Sequence, residues 1–252
     1  MATKQNSPEL SIVIITKNEE HYLPRLLGSI RTQEYKDYEI IVADNNSSDK
    51  TREIARDAGC IVVDGGLPAE GRNAGARVAR GRYLLFLDAD VVLPQGFLPR
   101  VLEEFKQREL GIAEFYARPI DCRALDKIGV WLWNLAITPL SKFRPLGYGH
   151  CVLVKAEIHK KLGGFDTSLT HAEDIDYFRR AIQITKFAII KSKRVFVSMR
   201  RFYTQGYLQT MLKLAYATIQ CFIHKRPKVK VNYPLDIEHK PVEGLKDEKQ
   251  EK

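Results

Sequence analysis

Cysteine is scarce and never closely spaced. Cys60, Cys122, Cys151 and Cys221 are the four in 252 residues, and no C-x-x-C pair occurs. That argues against a disulfide framework and leaves reduced, mostly buried thiols in structural positions. Long apolar runs are missing too. The stretch from Ile128 to Ile137 is too short to span a bilayer and is soon followed by Pro139. Met1 to Glu9 is polar and leads straight into Leu10-Ser11-Ile12-Val13-Ile14-Ile15. No signal-peptide apolar region with a cleavage site is present, so a cytoplasmic location is expected. No G-x-G-x-x-G follows the first apolar run, which disfavours a dinucleotide site, and the absence of G-x-x-x-x-G-K-[ST] excludes a P-loop.

Acid is the last shortage, and it is local. From Tyr177 to Leu235 there is no Asp or Glu, while the same stretch holds thirteen Lys and Arg, among them Arg200, Arg201, Lys225, Arg226, Lys228 and Lys230. The formal net charge of +9 therefore sits in the carboxyl-terminal third. A one-sign surface of this kind attracts polyanions: nucleic acid, anionic lipid head groups or phosphorylated substrates.

What is present is a regular alternation. Leu10 to Thr16 reads as a strand, and Glu19 to Arg31 as an amphipathic helix with Leu23, Leu26, Leu27 and Ile30 on one face. Glu39 to Ala43 is a second strand, after which Asp49 is expected to cap a helix through Ala58. Cys60 to Val63 and Tyr83 to Leu87 are further strands; a helix from Pro68 to Arg80, ending at Gly81, lies between them. Gln95 to Gln107 is the next helix. Strand and helix alternating four times imply an α/β fold with a mostly parallel sheet and helices on both faces. Beyond residue 110 the pattern loosens. Strands are expected at His150 to Val154, Phe187 to Ile190 and Val195 to Ser198, with helices at Asp174 to Gln183 and Tyr207 to His224. Asp236 to Lys252 reads as a charged, disordered tail.

Asp88-Ala89-Asp90 closes the apolar run Tyr83-Leu84-Leu85-Phe86-Leu87. Open α/β sheets bind ligands outside the carboxyl ends of their strands. Two carboxylates there suit a hard divalent cation, Mn²⁺ or Mg²⁺, that also takes oxygens from a substrate phosphate. Thr16, Asn18, Asp44 and Asp64 stand at the other strand ends.

Several segments in order carry a resemblance. They are Ser11 to Glu20, Glu39 to Thr51, Gly71-Arg72-Asn73-Ala74-Gly75, Asp88-Ala89-Asp90, Gly163-Gly164-Phe165-Asp166 and Glu173-Asp174-Ile175-Asp176. Together they resemble the family 2 glycosyltransferases of glycosyltransferase-A fold, over roughly Leu10 to Arg201. The resemblance implies transfer of a sugar from a nucleoside-diphosphate sugar to an acceptor, with inversion. It assigns Thr16, Asn18, Glu19, Asp44, Arg72, Asn73 and Asp88 to the nucleotide sugar. Asp90 becomes the direct metal ligand, with Asp88 beside it. Asp174, with Glu173, becomes the general base, and Asp176 stands in reserve. From the residues alone, the start of a helix explains Glu173-Asp174 better than a base does, and the resemblance reverses that preference. His150, Arg200 and Arg201 are assigned to acceptor or phosphate. No Q-x-x-R-W occurs, which argues against a processive synthase.

The expected organisation is a tail over 1–9, a catalytic domain over 10–205, a basic amphipathic appendage over 206–235 and a charged tail over 236–252. The apolar face of the appendage, with Trp131 and Trp133, has two equal readings: peripheral contact with an anionic membrane beside a glycan or lipid-linked acceptor, or packing on the catalytic domain. No nucleic-acid partner is expected. Two other readings stay open: a basic, non-enzymatic membrane or nucleic-acid adaptor, and a sugar-phosphate nucleotidyltransferase. The second should carry a Gly- and Arg-rich loop where Thr16-Lys17-Asn18-Glu19 stands.

Overall fold

The structure, a computed structural model, describes residues 7–123, 126–131, 135, 149–169, 172–204 and 206. Four apolar runs become the parallel strands β1 (Leu10–Thr16), β2 (Tyr38–Asp44), β3 (Ile61–Asp64) and β4 (Tyr83–Asp88). β5 (Val91–Val92), β6 (Ile112–Ile120), β7 (Cys151–Lys155) and β8 (Phe187–Ser198) extend them to one eight-stranded sheet in the order β3-β2-β1-β4-β7-β6-β8-β5. β7 runs antiparallel to both β4 and β6, β8 is parallel to β6, and β5 is antiparallel to β8.

Seven helices are named here: α1 (Leu23–Arg31), α2 (Thr51–Asp57), α3 (Pro68–Val78), α4 (Phe97–Gln107), α5 (Ala156–Leu162), α6 (Glu173–Ala181) and α7 (Arg200–Thr204). Residues 126–131 are also helical. Side chains alternate across each central strand, so both faces bury apolar surface. Ile12, Ile14, Leu85 and Leu87 face the cluster built with α1, α2 and α4. Val13, Leu84 and Phe86 face the one built with α3, α5 and α6.

Several sequence expectations need correction. β6 was not foreseen, because the buried Glu114 and Pro119 break its apolar pattern. β8 is one strand rather than two. Lys191, Ser192 and Arg194 are exposed, yet pairing to β6 continues past an irregularity between Phe115 and Ala117. α1 begins at Leu23 rather than Glu19: Tyr22 and Leu23 N–H both donate to the Glu19 carbonyl in a turn, and Pro24 has no N–H to carry the helical ladder back to residue 20. Asp49 does not cap α2, whose N-cap is Lys50. Its carboxylate instead accepts from Thr51 N–H and O–H and from Glu20 N–H. The expected helix 207–224, the basic residues beyond it, the charged tail and Trp133 lie outside the described residues.

Gly81 also differs from expectation. α3 ends at Val78, and Gly81 lies against the backbone of β1, where a Cβ would stand 2.5 Å from Ser11 N. Its N–H donates to Ser11 Oγ at 2.8 Å, and that hydroxyl donates to the buried Glu39 carboxylate at 2.7 Å. Gly81→Ala should therefore cost about 2 kcal/mol by overpacking a backbone contact. Urea unfolding measures it; an unchanged midpoint would show that the β1 edge yields freely.

Candidate active site

Parallel register sets the site. Thr16 on β1 pairs with Asp44 on β2, and Ile15 pairs with Asp88 on β4, so the strands end level with one another. Asp44 is fully buried and its carboxylate is saturated. It accepts from Thr16 Oγ1 at 2.8 Å, Ser47 Oγ at 2.5 Å, Ser47 N–H at 2.9 Å and Arg52 at 3.4 Å. Arg52 also donates to Asp64 at 2.9 Å, which ties the ends of β2 and β3 together. Asn18 is held the same way: its N–H donates to Ser47 Oγ and its Oδ1 accepts from Ser48 N–H. The polar loop after β2 is thus bonded to the loop after β1.

Two buried arginines divide the acidic residues at the strand ends. α3 lies close on β1 because Gly71 and Gly75 leave room: a Cβ on Gly75 would stand 2.3 Å from Val13 Cγ1. That approach delivers Arg72 to the end of β4. Arg72 is 3% exposed and donates to Glu173 at 2.7 Å, Asp88 at 3.0 Å and the Gly149 carbonyl at 3.1 Å. Its neighbour Asn73 is turned away. Both ends of that amide bond the Phe165 backbone, at 2.8 and 2.9 Å.

The second arginine is Arg200, at the start of α7. It forks onto Glu19 at 2.5 and 2.8 Å, donates through Nε to Asp90 at 3.2 Å and lies 4.2 Å from the centre of the Tyr22 ring. Burial pushes the Glu19 carboxyl up to about 7, against the pull of Arg200, with the negative charges of Asp90 and Asp88 adding to the rise.

α6 supplies the remaining acids. Asp174 is partly buried, with Oδ1 accepting from Ile175 N–H at 2.8 Å. Burial and the adjacent Glu173 push its carboxyl up to about 7, although Arg72 pulls the other way. Gly149 makes this possible sterically. Its φ is +65°, and any Cβ there would stand 2.5 Å from Asp174 Oδ2. Asp176 is engaged elsewhere, paired with Arg180 at 2.7 Å. Arg180 also donates to the Leu162 and Gly164 carbonyls, so the reserve acid belongs to a structural clamp. His150 is buried, and its carbonyl accepts from Asp88 N–H. The side chain of Arg201 lies outside the described residues.

The donor set was tested against a divalent cation. Among the described residues no cage of three or more His, Cys, Asp or Glu is gathered. Asp88 and Asp90 offer two carboxylates, and Arg200 Nε engages Asp90 through Oδ2. Two carboxylates without a full protein cage is how Mg²⁺ or Mn²⁺ is bound when a phosphorylated substrate supplies further oxygens. The residues fit such an ion.

The structure brings Arg72, Asp88 and Glu173 into contact, with Asp174 next to Glu173, while Asp90, two residues past Asp88, is held by Arg200. Sequence reasoning missed Arg52 and Ser47 as partners of Asp44. One signal was available: Arg52 stands in the first turn of α2, where a cation opposes the helix dipole and so needs a partner elsewhere. Arg72→Met would leave two carboxylates without their cation and should cost about 3 kcal/mol at neutral pH. Arg72→Lys, which keeps the charge, should lose less. Urea unfolding of both variants decides this; equal losses would mean that charge is not the cause.

The amino-acid sequence matches the model of the glycosyl transferase family 2 over residues 11–162. An uncharacterized glycosyltransferase of Haemophilus influenzae is 29% identical over 195 residues, which are 72% of this chain and 65% of that protein. A Campylobacter jejuni protein named GalNAc(5)-diNAcBac-PP-undecaprenol beta-1,3-glucosyltransferase is 32% identical over 109 residues, 38% of this chain and 34% of that one. This chain thus spans less than two thirds of the length of either relative. Among solved structures, a Pyrobaculum calidifontis mannosyltransferase in complex with GDP-Man and Mn²⁺ superposes with a TM-score of 0.68 at 20% identity, covering 88% of this chain and 66% of that one. The shared fold is the glycosyltransferase-A fold, and the match over more than half of its length shows that the chain belongs to glycosyl transferase family 2.

Proposed function

We propose that this chain transfers a sugar from a nucleoside-diphosphate sugar to an acceptor hydroxyl, with inversion and with a divalent cation. The observation that supports it best is the Arg72 bridge. One guanidinium links Asp88, in the acidic pair at the end of β4, to Glu173, whose neighbour Asp174 has a carboxyl raised to about 7. A base poised near neutrality beside a phosphate-binding centre is what this reaction requires.

In this reading Asp174 takes the proton of the acceptor hydroxyl as its oxygen attacks the anomeric carbon from the face opposite the diphosphate. The bond from that carbon to the diphosphate oxygen breaks, and the nucleoside diphosphate leaves with the electron pair. Asp90 and Asp88 would hold the cation, Mn²⁺ or Mg²⁺, whose charge offsets the negative charge growing on the leaving group. The Pyrobaculum neighbour, bound to GDP-Man and Mn²⁺, supports donor class and cation alike. Arg72 keeps Asp88 and Glu173 in place, so Asp174 keeps its position at the start of α6.

A lipid-linked acceptor is the reading for the second substrate. The Campylobacter relative, which carries undecaprenol in its name, supports this reading. Ile128, Trp131 and Leu135 are 54%, 56% and 58% exposed, at spacings of three and four residues. Apolar side chains at that spacing beside a basic carboxyl-terminal third suit a peripheral contact with anionic lipid. Among the described residues no helix is long and apolar enough to cross a membrane.

The test is release of nucleoside diphosphate from a panel of UDP- and GDP-sugars, with and without Mn²⁺. Asp90→Ala should abolish Mn²⁺-dependent turnover and the thermal stabilisation by nucleotide with metal. Asp174→Asn should lower kcat by roughly 10² to 10⁴ while nucleotide binding persists. For wild type, kcat/KM should rise with pH through about 7, because Asp174 accepts a proton only when ionised. Turnover that survives Asp174→Asn would remove it as base. Separately, Trp131→Ala should weaken sedimentation of the full chain with phosphatidylglycerol-containing vesicles, and unchanged sedimentation would remove the membrane contact.

A further inference from the structure

Glu19 and Arg200 stand 181 positions apart in the chain, yet they form the tightest ion pair beside the acidic centre. Both are buried: Glu19 is 7% exposed and Arg200 also 7%. The arginine's two terminal nitrogens are committed to Glu19, at 2.8 and 2.5 Å, so only Nε faces Asp90, at 3.2 Å to Oδ2. Tyr22 stacks on the opposite face of the guanidinium. Asp90 is further held by its backbone, whose carbonyl accepts from Ser198 N–H at 3.2 Å, two residues before Arg200.

This division of nitrogens matters because a guanidinium prefers a two-bond fork onto a carboxylate. Two carboxylates compete for one fork here, and Glu19 holds it. If Glu19 released it, the fork would be free to close on Asp90. A monovalent cation would then occupy the oxygens proposed to bind the divalent ion. From this geometry we infer that Glu19 is a positioning residue that keeps Arg200 off Asp90, and that the pair guards cation binding rather than contacting the sugar donor. The single Nε bond is part of the device: it engages Asp90 through Oδ2 alone and does not fork across both oxygens. Partners of a metal ligand that act in this way commonly alter metal affinity by one to two orders of magnitude.

The inference rests on the proposed reading that Asp90 holds the cation, and its signature is a rescue. Glu19→Gln removes the competing carboxylate and leaves the arginine charge in place. Arg200→Met added to it removes that charge as well, so the local net charge returns to that of wild type. Titration of the full chain with Mn²⁺ alone, followed by the electron-spin-resonance signal of free Mn²⁺, reads binding without turnover. Glu19→Gln should raise the dissociation constant about tenfold or more. The double variant Glu19→Gln/Arg200→Met should return to within about threefold of wild type, a non-additivity that a merely structural role would not give.

A Glu19→Gln variant that binds Mn²⁺ as wild type does would overturn the inference, and so would a double variant as weak as the single. If Glu19→Gln does not fold, Glu19→Asp, with its carboxylate one methylene shorter, must weaken Mn²⁺ in the same direction, and Arg200→Met must reverse it. Asp90→Ala separates the two levels. Equal Mn²⁺ binding by wild type and Asp90→Ala defeats the cation site, and the guard with it. Loss in Asp90→Ala beside indifference in Glu19→Gln defeats the guard alone.

Discussion

Four carboxylates converge at the ends of β1 and β4 and the start of α6, and two buried guanidiniums allow them to do so. Without Arg72 and Arg200, Glu19, Asp88, Asp90 and Glu173 would repel one another in surroundings of low polarity. Each arginine takes one carboxylate of the acidic pair on β4 and one from a distant segment: Arg72 joins Asp88 to Glu173, and Arg200 joins Asp90 to Glu19. Two guanidiniums thus serve four carboxylates, and the centre is richer in acid than in base. Asp174 is outside both pairs, and its raised proton affinity follows from having burial and Glu173 beside it.

Small residues put these arginines where they act. Gly71 and Gly75 let α3 settle on β1, and the left-handed Gly149 gives Asp174 its space while lending its carbonyl to Arg72. Asn73 fastens the same helix to the backbone at Phe165 through both ends of its amide. Asp44, Thr16, Ser47, Arg52 and Asp64 make a second, self-contained network that joins the first three strands. The geometry of the candidate site therefore depends on backbone approach at a few points as much as on the charged groups themselves.

Much of this was legible in the chain. The runs that become β1, β2, β3 and β4 are apolar, evenly spaced and closed by polar residues, so local pattern was enough to locate the acidic pair at a strand end. The Glu173-Asp174 start of α6 was legible for the same reason. What escaped was non-local. No local pattern links Glu19 to Arg200 across 181 positions, and nothing in Asn73 announces that its amide is committed to Phe165. β6 escaped because Glu114 and Pro119 interrupt it, and β5 because its two residues are too short for any period.

The same long spans bear on how the protein is made. The links that neutralise the centre join residues 101 and 181 positions apart, so the acidic pair on β4 leaves the ribosome well before Glu173 and Arg200 follow. Bringing such distant segments together carries a loop-closure entropy that is not offset until the late contacts form. The amino-terminal sheet can pair its strands early, and Arg72 stands beside Asp88 from the start, but Arg200 reaches Asp90 when β8 docks beside β6. Closure of the site is thereby a late event in folding, and a nascent chain stalled before residue 200 would hold a nearly complete sheet around an unbalanced cluster of acids.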